Sequence, residues 1–134
     1  MSTDADTNPQ QPFTVETFAQ FWAAPSTGPD AMVPLADDVV GYWPGSEEPV
    51  RGPEQYVAAL DQLLQAVPDL TLEVAEHAEN GENLFIRWIA TGTGVHGPLE
   101  IVGIDRIRVV DGKVKENIIR FDPAELEHAI GAKP

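Results

Sequence analysis

The chain has 134 residues, of which 43% are apolar, and it carries 22 acidic against 8 basic side chains. This length and composition are typical of one globular domain with a single core. The formal net charge of −14 argues against nucleic acid and anionic membranes as partners, because both are bound through basic surfaces. Solubility is the simplest explanation of the acid excess, and adaptation to high salt is an alternative. The sequence has no cysteine and no long apolar stretch, so we expect a cytoplasmic protein without disulfides or transmembrane helices.

The N-terminal segment differs in composition from the rest of the chain. Residues 1–12 contain acids, Pro and Gln but no basic or apolar run, which predicts a disordered leader before a single domain over 13–134. The domain is predicted to open with a helix. Thr14 is suited to be its N-cap, and Phe13 and Phe18 have the spacing of a hydrophobic staple.

The remaining elements follow from hydrophobic periodicity. A short helical piece is predicted around Asp30 to Leu35, ending near Ala36-Asp37-Asp38, and the first strand is predicted from Val39 to Trp43. The clearest helix runs from Pro53 to Val67, because its apolar residues form one stripe: Tyr56, Leu60, Leu63, Leu64 and Val67. Four strands follow, over residues 70–75, 84–91, 99–110 and 114–121. Asp111-Gly112 predicts a tight hairpin between the last two strands, and Asp122-Pro123 opens a C-terminal helix.

This order of elements predicts an α+β domain. Helices early in the chain and long antiparallel strands late in it indicate a curved antiparallel sheet that wraps around the N-terminal helices. A sheet curved in this way leaves a cavity at its open end, where small molecules commonly bind.

One carboxylate, that of Asp105, lies inside a run with the pattern of a β-strand. Alternation places it on one face with Ile101, Gly103, Ile107 and Val109. An ionised carboxylate among aliphatic side chains loses hydration, which is costly unless a partner compensates. Such a group pairs, stays protonated or takes part in catalysis. Arg87 is the candidate partner across the sheet, and an Arg87–Asp105 pair would make the acid ionised and structural.

Element order and four motifs resemble the nuclear-transport-factor-2-like superfamily, which includes ketosteroid isomerases, SnoaL-like polyketide cyclases and limonene epoxide hydrolases. The motifs are Leu35-Ala36-Asp37-Asp38-Val39, Arg51-Gly52-Pro53-Glu54, Gly103-Ile104-Asp105-Arg106-Ile107-Arg108 and Asp111-Gly112-Lys113-Val114. The resemblance covers nearly everything from Thr14 to Asp122 and implies a cone-shaped domain with an internal pocket. Because this fold hosts unrelated activities, individual residues must decide between its branches.

The resemblance gives Asp105 a role and disfavours two branches. In ketosteroid isomerases a strand aspartate at this position stays neutral and donates a hydrogen bond to the substrate. At the place of the isomerase's general base, however, this chain has Trp43, with Tyr42 beside it. The epoxide hydrolase pattern also fails, because Arg87 lacks the acid that should follow it and Asn117 brings an amide instead of an aspartate. SnoaL-like cyclases need one strand aspartate near an enolisable carbon in an apolar pocket, which Asp105 can supply.

Five aromatic residues are candidates to line the pocket: Trp22, Tyr42, Trp43, Trp88 and Phe121. Ordinary core packing is the alternative for each. Tyr42 and Trp43 are adjacent, so only one can face inward, and we prefer Trp43, together with Trp22. Asn117 could hydrogen-bond a ligand carbonyl or be satisfied by the backbone. His96, in a predicted hairpin, could transfer protons at the cavity rim or be an exposed loop residue.

Three hypotheses follow. The first is a SnoaL-like isomerase, cyclase or dehydratase without cofactor or metal, in which Asp105 transfers a proton next to a carbonyl of an apolar substrate. The second is a non-catalytic ligand-binding or dimerisation domain with the same cavity, and the third is an interaction module that uses the acidic surface. The opposite sheet face is partly apolar, with Val102, Ile104 and Val110, which predicts a homodimer through this outer face.

Overall fold

The structure is a computed structural model that describes residues 12–28 and 31–131. Within these residues, three helices and six strands follow one another as α1 (Val15–Ala23), β1 (Leu35–Tyr42), β2 (Val50–Arg51), α2 (Gly52–Ala66), β3 (Thr71–Asn80), β4 (Asn83–Gly94), β5 (Gly97–Val110), β6 (Lys113–Arg120) and α3 (Pro123–Ile130). The predicted disorder of the leader falls outside the described residues except at Pro12, and it stays a prediction.

Helix α1 begins as its sequence predicts. The Thr14 hydroxyl accepts a hydrogen bond from the Thr17 backbone N–H, and the Thr17 hydroxyl accepts one from the Thr14 backbone N–H. Phe13 and Phe18 are both buried, as expected of a staple. The Phe13 N–H also donates to the Gly112 carbonyl at 2.8 Å, so the start of the helix is tied to the β5–β6 hairpin.

The predicted short helix from Asp30 to Leu35 is wrong over its described part. Residues 31–34 form a turn and an extended segment, and Leu35 already begins β1. The pair Asp37 and Asp38 lies within this strand, and both side chains are exposed to solvent. Asp38 accepts an ion-paired hydrogen bond from Lys115 of β6, which is compatible with an extended backbone.

The six strands form one curved, unclosed sheet in the order β2-β1-β6-β5-β4-β3. This confirms the predicted α+β class, with helices on one face of a mostly antiparallel sheet. One pair, β1 with β6, is parallel, which the sequence did not indicate. Strand β2 was also missed, because two residues carry no periodicity.

The core lies between the helices and the inner sheet face. Helix α1 contacts β3, and α2 contacts β1. Alternation along β5 is as predicted: Ile101, Gly103, Asp105 and Ile107 are buried, while Val102 and Ile104 are exposed. The inner face of β4 contributes further core residues in the same way: Leu84, Ile86, Trp88 and Ala90.

Candidate active site

A cavity lies inside the cone, bounded by α1, α2, α3 and the inner face of the sheet. The volume open to the centres of water-sized molecules is about 70 Å³. One water molecule needs a cavity of at least about 10–15 Å³, so this space has room for a few of them. The walls are mainly aliphatic and aromatic, and the partly exposed wall residues mark where the cavity approaches the surface: Trp22, Val33, Trp43, Leu63, Phe121 and Leu126.

Asp105 lines this cavity and is only 6% exposed. Its Oδ1 accepts a hydrogen bond from Trp88 Nε1 at 2.9 Å, and its Oδ2 accepts one from Asn117 Nδ2 at 3.1 Å. Both donors are neutral, so each oxygen has a partner but neither donor supplies a positive charge to balance an ionised Asp105. This is the environment in which a carboxylic acid binds its proton unusually tightly.

Gly103 makes the Trp88–Asp105 hydrogen bond possible. Trp88 lies directly opposite Gly103 in the β4–β5 ladder, and Asp105 is two residues further along the same face. A Cβ atom at residue 103 would lie 2.3 Å from Trp88 Cζ2 and 2.7 Å from the Arg120 carbonyl oxygen. The indole therefore occupies the space that a side chain at residue 103 would need.

Burial raises the pKa of Asp105 to about 6, and the hydrogen bonds from Trp88 and Asn117 hold it below the value that burial alone would produce. Most of the carboxyl is therefore ionised at neutral pH, and half of it is protonated near pH 6. A carboxylate whose pKa is close to the working pH is well suited to accept a proton and return it.

The predicted pairing of Arg87 with Asp105 is wrong. Arg87 lies opposite Ile104 on the outer face, and its Nε donates to Glu76 Oε2 at 2.7 Å. Because side chains alternate along a strand and Trp88 points inward, the neighbouring Arg87 must point outward. The structure thus excludes the ion pair that would have made Asp105 purely structural.

Tyr56 belongs to the polar group around Asp105, although its sequence position indicated only a core residue. Asn117 Nδ2 donates to the Tyr56 hydroxyl oxygen at 3.0 Å as well as to Asp105. Burial raises the pKa of the Tyr56 phenol, which therefore stays neutral. A tyrosine within an otherwise leucine-rich stripe was the available signal, since a buried phenol needs a polar partner.

The other predicted site residues separate into two groups. Trp22, Trp43, Trp88, Asn117 and Phe121 line the cavity with Asp105, and Phe121 packs edge-to-face on Trp88 with ring centroids 6.0 Å apart. Tyr42 is half-buried but is not a wall residue, in keeping with its alternation with Trp43. His96 also lies outside the cavity wall, because it is exposed at the β4–β5 turn and stacks on His128 at 4.4 Å.

Two other kinds of feature are absent from residues 12–28 and 31–131. No group of three or more His, Asp or Glu side chains there is placed to hold a metal ion. Over the same residues, no helix combines the length and apolar character needed to cross a membrane.

The model of the SnoaL-like domain family matches residues 15–117, which include Asp105, Trp88 and Asn117. The chain belongs to the SnoaL-like family. The match covers α1 through most of β6. No curated protein matches this SnoaL-like chain.

Solved structures support the same fold. A protein from Jannaschia sp. CCS1, provisionally described as a SnoaL-like polyketide cyclase, is 20% identical with a TM-score of 0.75, covering 90% of this chain and 92% of that one. IdmH from Streptomyces antibioticus, provisionally described as a polyketide cyclase, is 23% identical with a TM-score of 0.71, covering 88% and 98%. A protein with a ketosteroid isomerase-like fold from Catenulispora acidiphila, in complex with trimethylamine, is 15% identical with a TM-score of 0.75, covering 89% and 92%. At these identities the likeness establishes the fold of the SnoaL-like domain.

Proposed function

We propose that this SnoaL-like domain is an enzyme that moves a proton next to a carbonyl group in a small, largely apolar molecule, and so isomerises, cyclises or dehydrates it. The observation that carries the proposal is a buried carboxylate, Asp105, which lines an apolar cavity and whose two hydrogen-bond donors among the described residues are both neutral. The description of two structural neighbours as polyketide cyclases agrees with this chemistry.

The polar side chains around Asp105 suit the negative charge that such a reaction moves from the carboxylate to the carbonyl oxygen. Ionised Asp105 accepts the proton from the carbon beside the carbonyl, and negative charge then develops on the carbonyl oxygen. The Tyr56 hydroxyl contacts the same amide nitrogen as Asp105 and remains neutral, so it can donate a hydrogen bond to that oxygen. Protonated Asp105 then returns the proton to a second carbon in an isomerisation or to the departing hydroxyl in a dehydration. In a cyclisation the carbanion attacks a second carbonyl group of the same molecule, and the oxygen of that group takes the proton. The apolar walls keep water away from both steps.

The pH dependence of proton removal tests this role. 5-Nitrobenzisoxazole is a suitable probe, because loss of one C–H proton breaks its N–O bond and releases a coloured phenolate. Only ionised Asp105 can accept the proton, so the rate should rise with pH and level off above the pKa of about 6. If ordinary surface carboxylates accepted the proton instead, the rate would level off above about pH 4.

Arg87→Gln is the matched control for this measurement. It removes a charge from β4, the strand next to Asp105, but that charge lies on the outer face of the sheet. Its rate profile should superimpose on that of the unchanged protein. A profile without an inflection near the pKa of about 6 would contradict the proposal. A profile that moves in Arg87→Gln would show instead that Arg87 governs the ionisation of Asp105.

One observation favours the alternative, a non-catalytic ligand-binding domain. Both carboxylate oxygens of Asp105 already accept a hydrogen bond from Trp88 or Asn117, as expected of an acid that only stabilises the fold. Such a domain would bind apolar molecules in the cavity and leave the probe unreacted. The rate measurement therefore separates the two functions.

We also propose a homodimer through the outer sheet face. Phe85, Val102 and Ile104 are 40%, 48% and 46% exposed on this face, although each is large and apolar. Val102 and Ile104 point outward from β5, and Phe85 lies beside them on β4. A second copy of the same face would remove this apolar surface from water.

Sedimentation velocity tests the dimer. The unchanged protein should sediment as a dimer at micromolar concentration, and Ile104→Lys should sediment as a monomer, because the substitution places a charge in the apolar contact. Val95→Lys is the control, since Val95 is 63% exposed but lies on the β4–β5 turn. A monomeric unchanged protein, or equal effects of the two substitutions, would contradict this interface.

A further inference from the structure

Gly41 lies directly against the ring of Tyr56. It is buried in β1, beside Asn117 of β6 in the parallel ladder and beside Val50 of β2 in the antiparallel one. A Cβ atom at residue 41 would lie 3.1 Å from Tyr56 Cε2, 3.2 Å from Tyr56 Cδ2 and 3.1 Å from Val50 Cγ2. The tyrosine ring, which comes from α2, therefore takes up the space that a side chain at residue 41 would need.

The backbone of Gly41 does not explain why a glycine is found there. Gly41 is not one of the described glycines with a positive φ, and it belongs to a strand, so a residue with a side chain could adopt the same conformation. A glycine inside a strand weakens that strand and commonly marks a place where another group comes very close. The group that comes close to Gly41 is the Tyr56 ring.

A methyl group at residue 41 would displace Tyr56. Carbon atoms in contact are normally about 3.5–4.0 Å apart. Distances of 3.1 and 3.2 Å therefore require the ring to move away by a few tenths of an ångström. Val50 lies equally close, so the methyl group has no room in that direction either. Movement of the ring would shift its hydroxyl relative to Asn117 Nδ2, which donates to that hydroxyl at 3.0 Å.

We propose that Gly41 is a positioning residue for proton transfer, because the space that it leaves lets Tyr56 hold its hydroxyl beside Asn117 and Asp105. Asn117 Nδ2 donates to both of these side chains. The inference rests on the proposed function, in which Tyr56 donates to the oxygen that gains negative charge, and it adds the residue that places this donor. Reacting groups must be held to within about 0.5 Å, so the displacement caused by a methyl group should slow the reaction measurably.

The rate of proton removal from 5-nitrobenzisoxazole, measured where it no longer changes with pH, tests the placement of the hydroxyl. Negative charge develops on the oxygen of the breaking N–O bond. Tyr56→Phe keeps the ring but removes the donor, and it should lower kcat by about 10- to 100-fold, the worth of a hydrogen bond to a charged group. Gly41→Ala displaces the hydroxyl without removing it and should lower kcat by about 2- to 10-fold. KM should change little, because the bond strengthens only as the charge develops.

The double variant that combines Gly41→Ala with Tyr56→Phe separates placement of the hydroxyl from a general disturbance of packing. The phenylalanine ring meets the added methyl group as the tyrosine ring does, but it has no hydroxyl to misplace. The double variant should therefore have the kcat of Tyr56→Phe alone. If Gly41→Ala lowers kcat by the same factor with tyrosine and with phenylalanine at residue 56, Gly41 only supports packing and the inference is overturned.

The pH profile gives a second readout that loss of stability alone would not produce. The two hydrogen bonds to Asp105 come from Trp88 and Asn117, and Tyr56 supplies neither. Gly41→Ala should therefore lower the rate at all pH values and leave the inflection at the pKa of about 6. An inflection that moves in Gly41→Ala would show that the glycine acts on Asp105 instead of on Tyr56, and would overturn the inference.

Gly92→Ala is the matched control. A Cβ atom at residue 92 would lie 2.7 Å from Val67 Cγ1, so this substitution also displaces a packed side chain. Neither Gly92 nor Val67 lines the cavity. Gly92→Ala should therefore leave kcat and the inflection unchanged, when rates are expressed per folded protein as measured by circular dichroism. A loss of kcat equal to that of Gly41→Ala would contradict a specific role of Gly41.

Failure of this inference can be told apart from failure of the proposed function. If the unchanged protein shows no proton removal that depends on Asp105, the proposed function is wrong and the inference falls with it. If the unchanged protein removes the proton but Tyr56→Phe has the same kcat, the proton-transfer function stands and Gly41 has no donor to place. This second result decides the matter even where Gly41→Ala does not fold.

Discussion

Replacing Asp105 with Asn should reduce the rate of proton removal from 5-nitrobenzisoxazole by about 10²- to 10⁴-fold, the usual contribution of a positioned general base. An amide has the shape of the carboxyl and can still accept a hydrogen bond from Trp88 Nε1, but it cannot take a proton at neutral pH. Initial rates at neutral pH, measured on both proteins after their folding is verified by circular dichroism, give this ratio. Equal rates would remove Asp105 from the reaction.

The same Asp105→Asn substitution should also change how the stability of the protein depends on pH. The pKa of Asp105 is about 6 in the folded protein and 3.8 for an aspartate without these surroundings, so the folded state holds the proton more tightly. The unchanged protein therefore loses stability as pH rises through this interval, whereas the amide of the variant has no proton to lose. At 1.36 kcal/mol for each pKa unit, the stability of the variant relative to the unchanged protein should increase by about 3 kcal/mol between about pH 3 and about pH 7.

Urea denaturation of the two proteins across this range measures the effect. Subtracting one free energy of unfolding from the other cancels the contributions of the other 21 acidic residues, because the chain has 22 and the two proteins differ only at Asp105. A difference that is constant with pH would mean that Asp105 ionises as an exposed acid does, and the buried environment described above would be wrong. Lost activity together with a relative stability that rises with pH is the result expected if Asp105 is both a buried acid and the general base.

Gly103→Ala should destabilise the protein by about 1–3 kcal/mol, the usual cost of placing extra atoms in a packed core. The added methyl group would lie 2.3 Å from one carbon of the Trp88 indole and 2.4 Å from another, with the Arg120 carbonyl oxygen at 2.7 Å. The indole must move, because the backbone oxygen on the other side is held in the sheet. Urea denaturation measures the loss.

Gly103→Ala should also raise the pKa of Asp105. The hydrogen bond from Trp88 Nε1 lowers the pKa of Asp105, and moving the indole removes that bond. The inflection of the proton-removal rate should therefore shift to higher pH. Gly28→Ala is the control, since the nearest atom to its added Cβ lies at 3.6 Å. If the two alanine variants have the same stability and the same pH profile, Gly103 does not position Trp88.

Much of the fold was predictable because its signals are local. The Thr14 cap, the stripe of α2, and the Asp111-Gly112 hairpin each depend on residues a few positions apart, and all are observed. The segment 31–35 was mispredicted because a polar pair, Asp37 and Asp38, resembled the end of an element. Those carboxylates are instead exposed on an extended strand. The parallel pairing of β1 with β6 joins distant segments, and local patterns contain no information about it.

The cytoplasmic location and the lack of nucleic acid partners remain predictions from composition. They rest on the absence of cysteine and on the net charge of −14. Neither the cavity nor the fold depends on them.

By itself, the sequence determined that Asp105 points into the core, because alternation along one strand needs no knowledge of its neighbours. Only the tertiary structure decided what Asp105 meets there. Its contact with Trp88 depends on the β4–β5 register and on the space at Gly103, and its contact with Asn117 depends on the pairing of β5 with β6. Register and approach between strands are properties of the assembled sheet, set by packing and turn geometry across many residues. The acid was visible in the sequence, whereas its neutral partners and its cavity came from the fold.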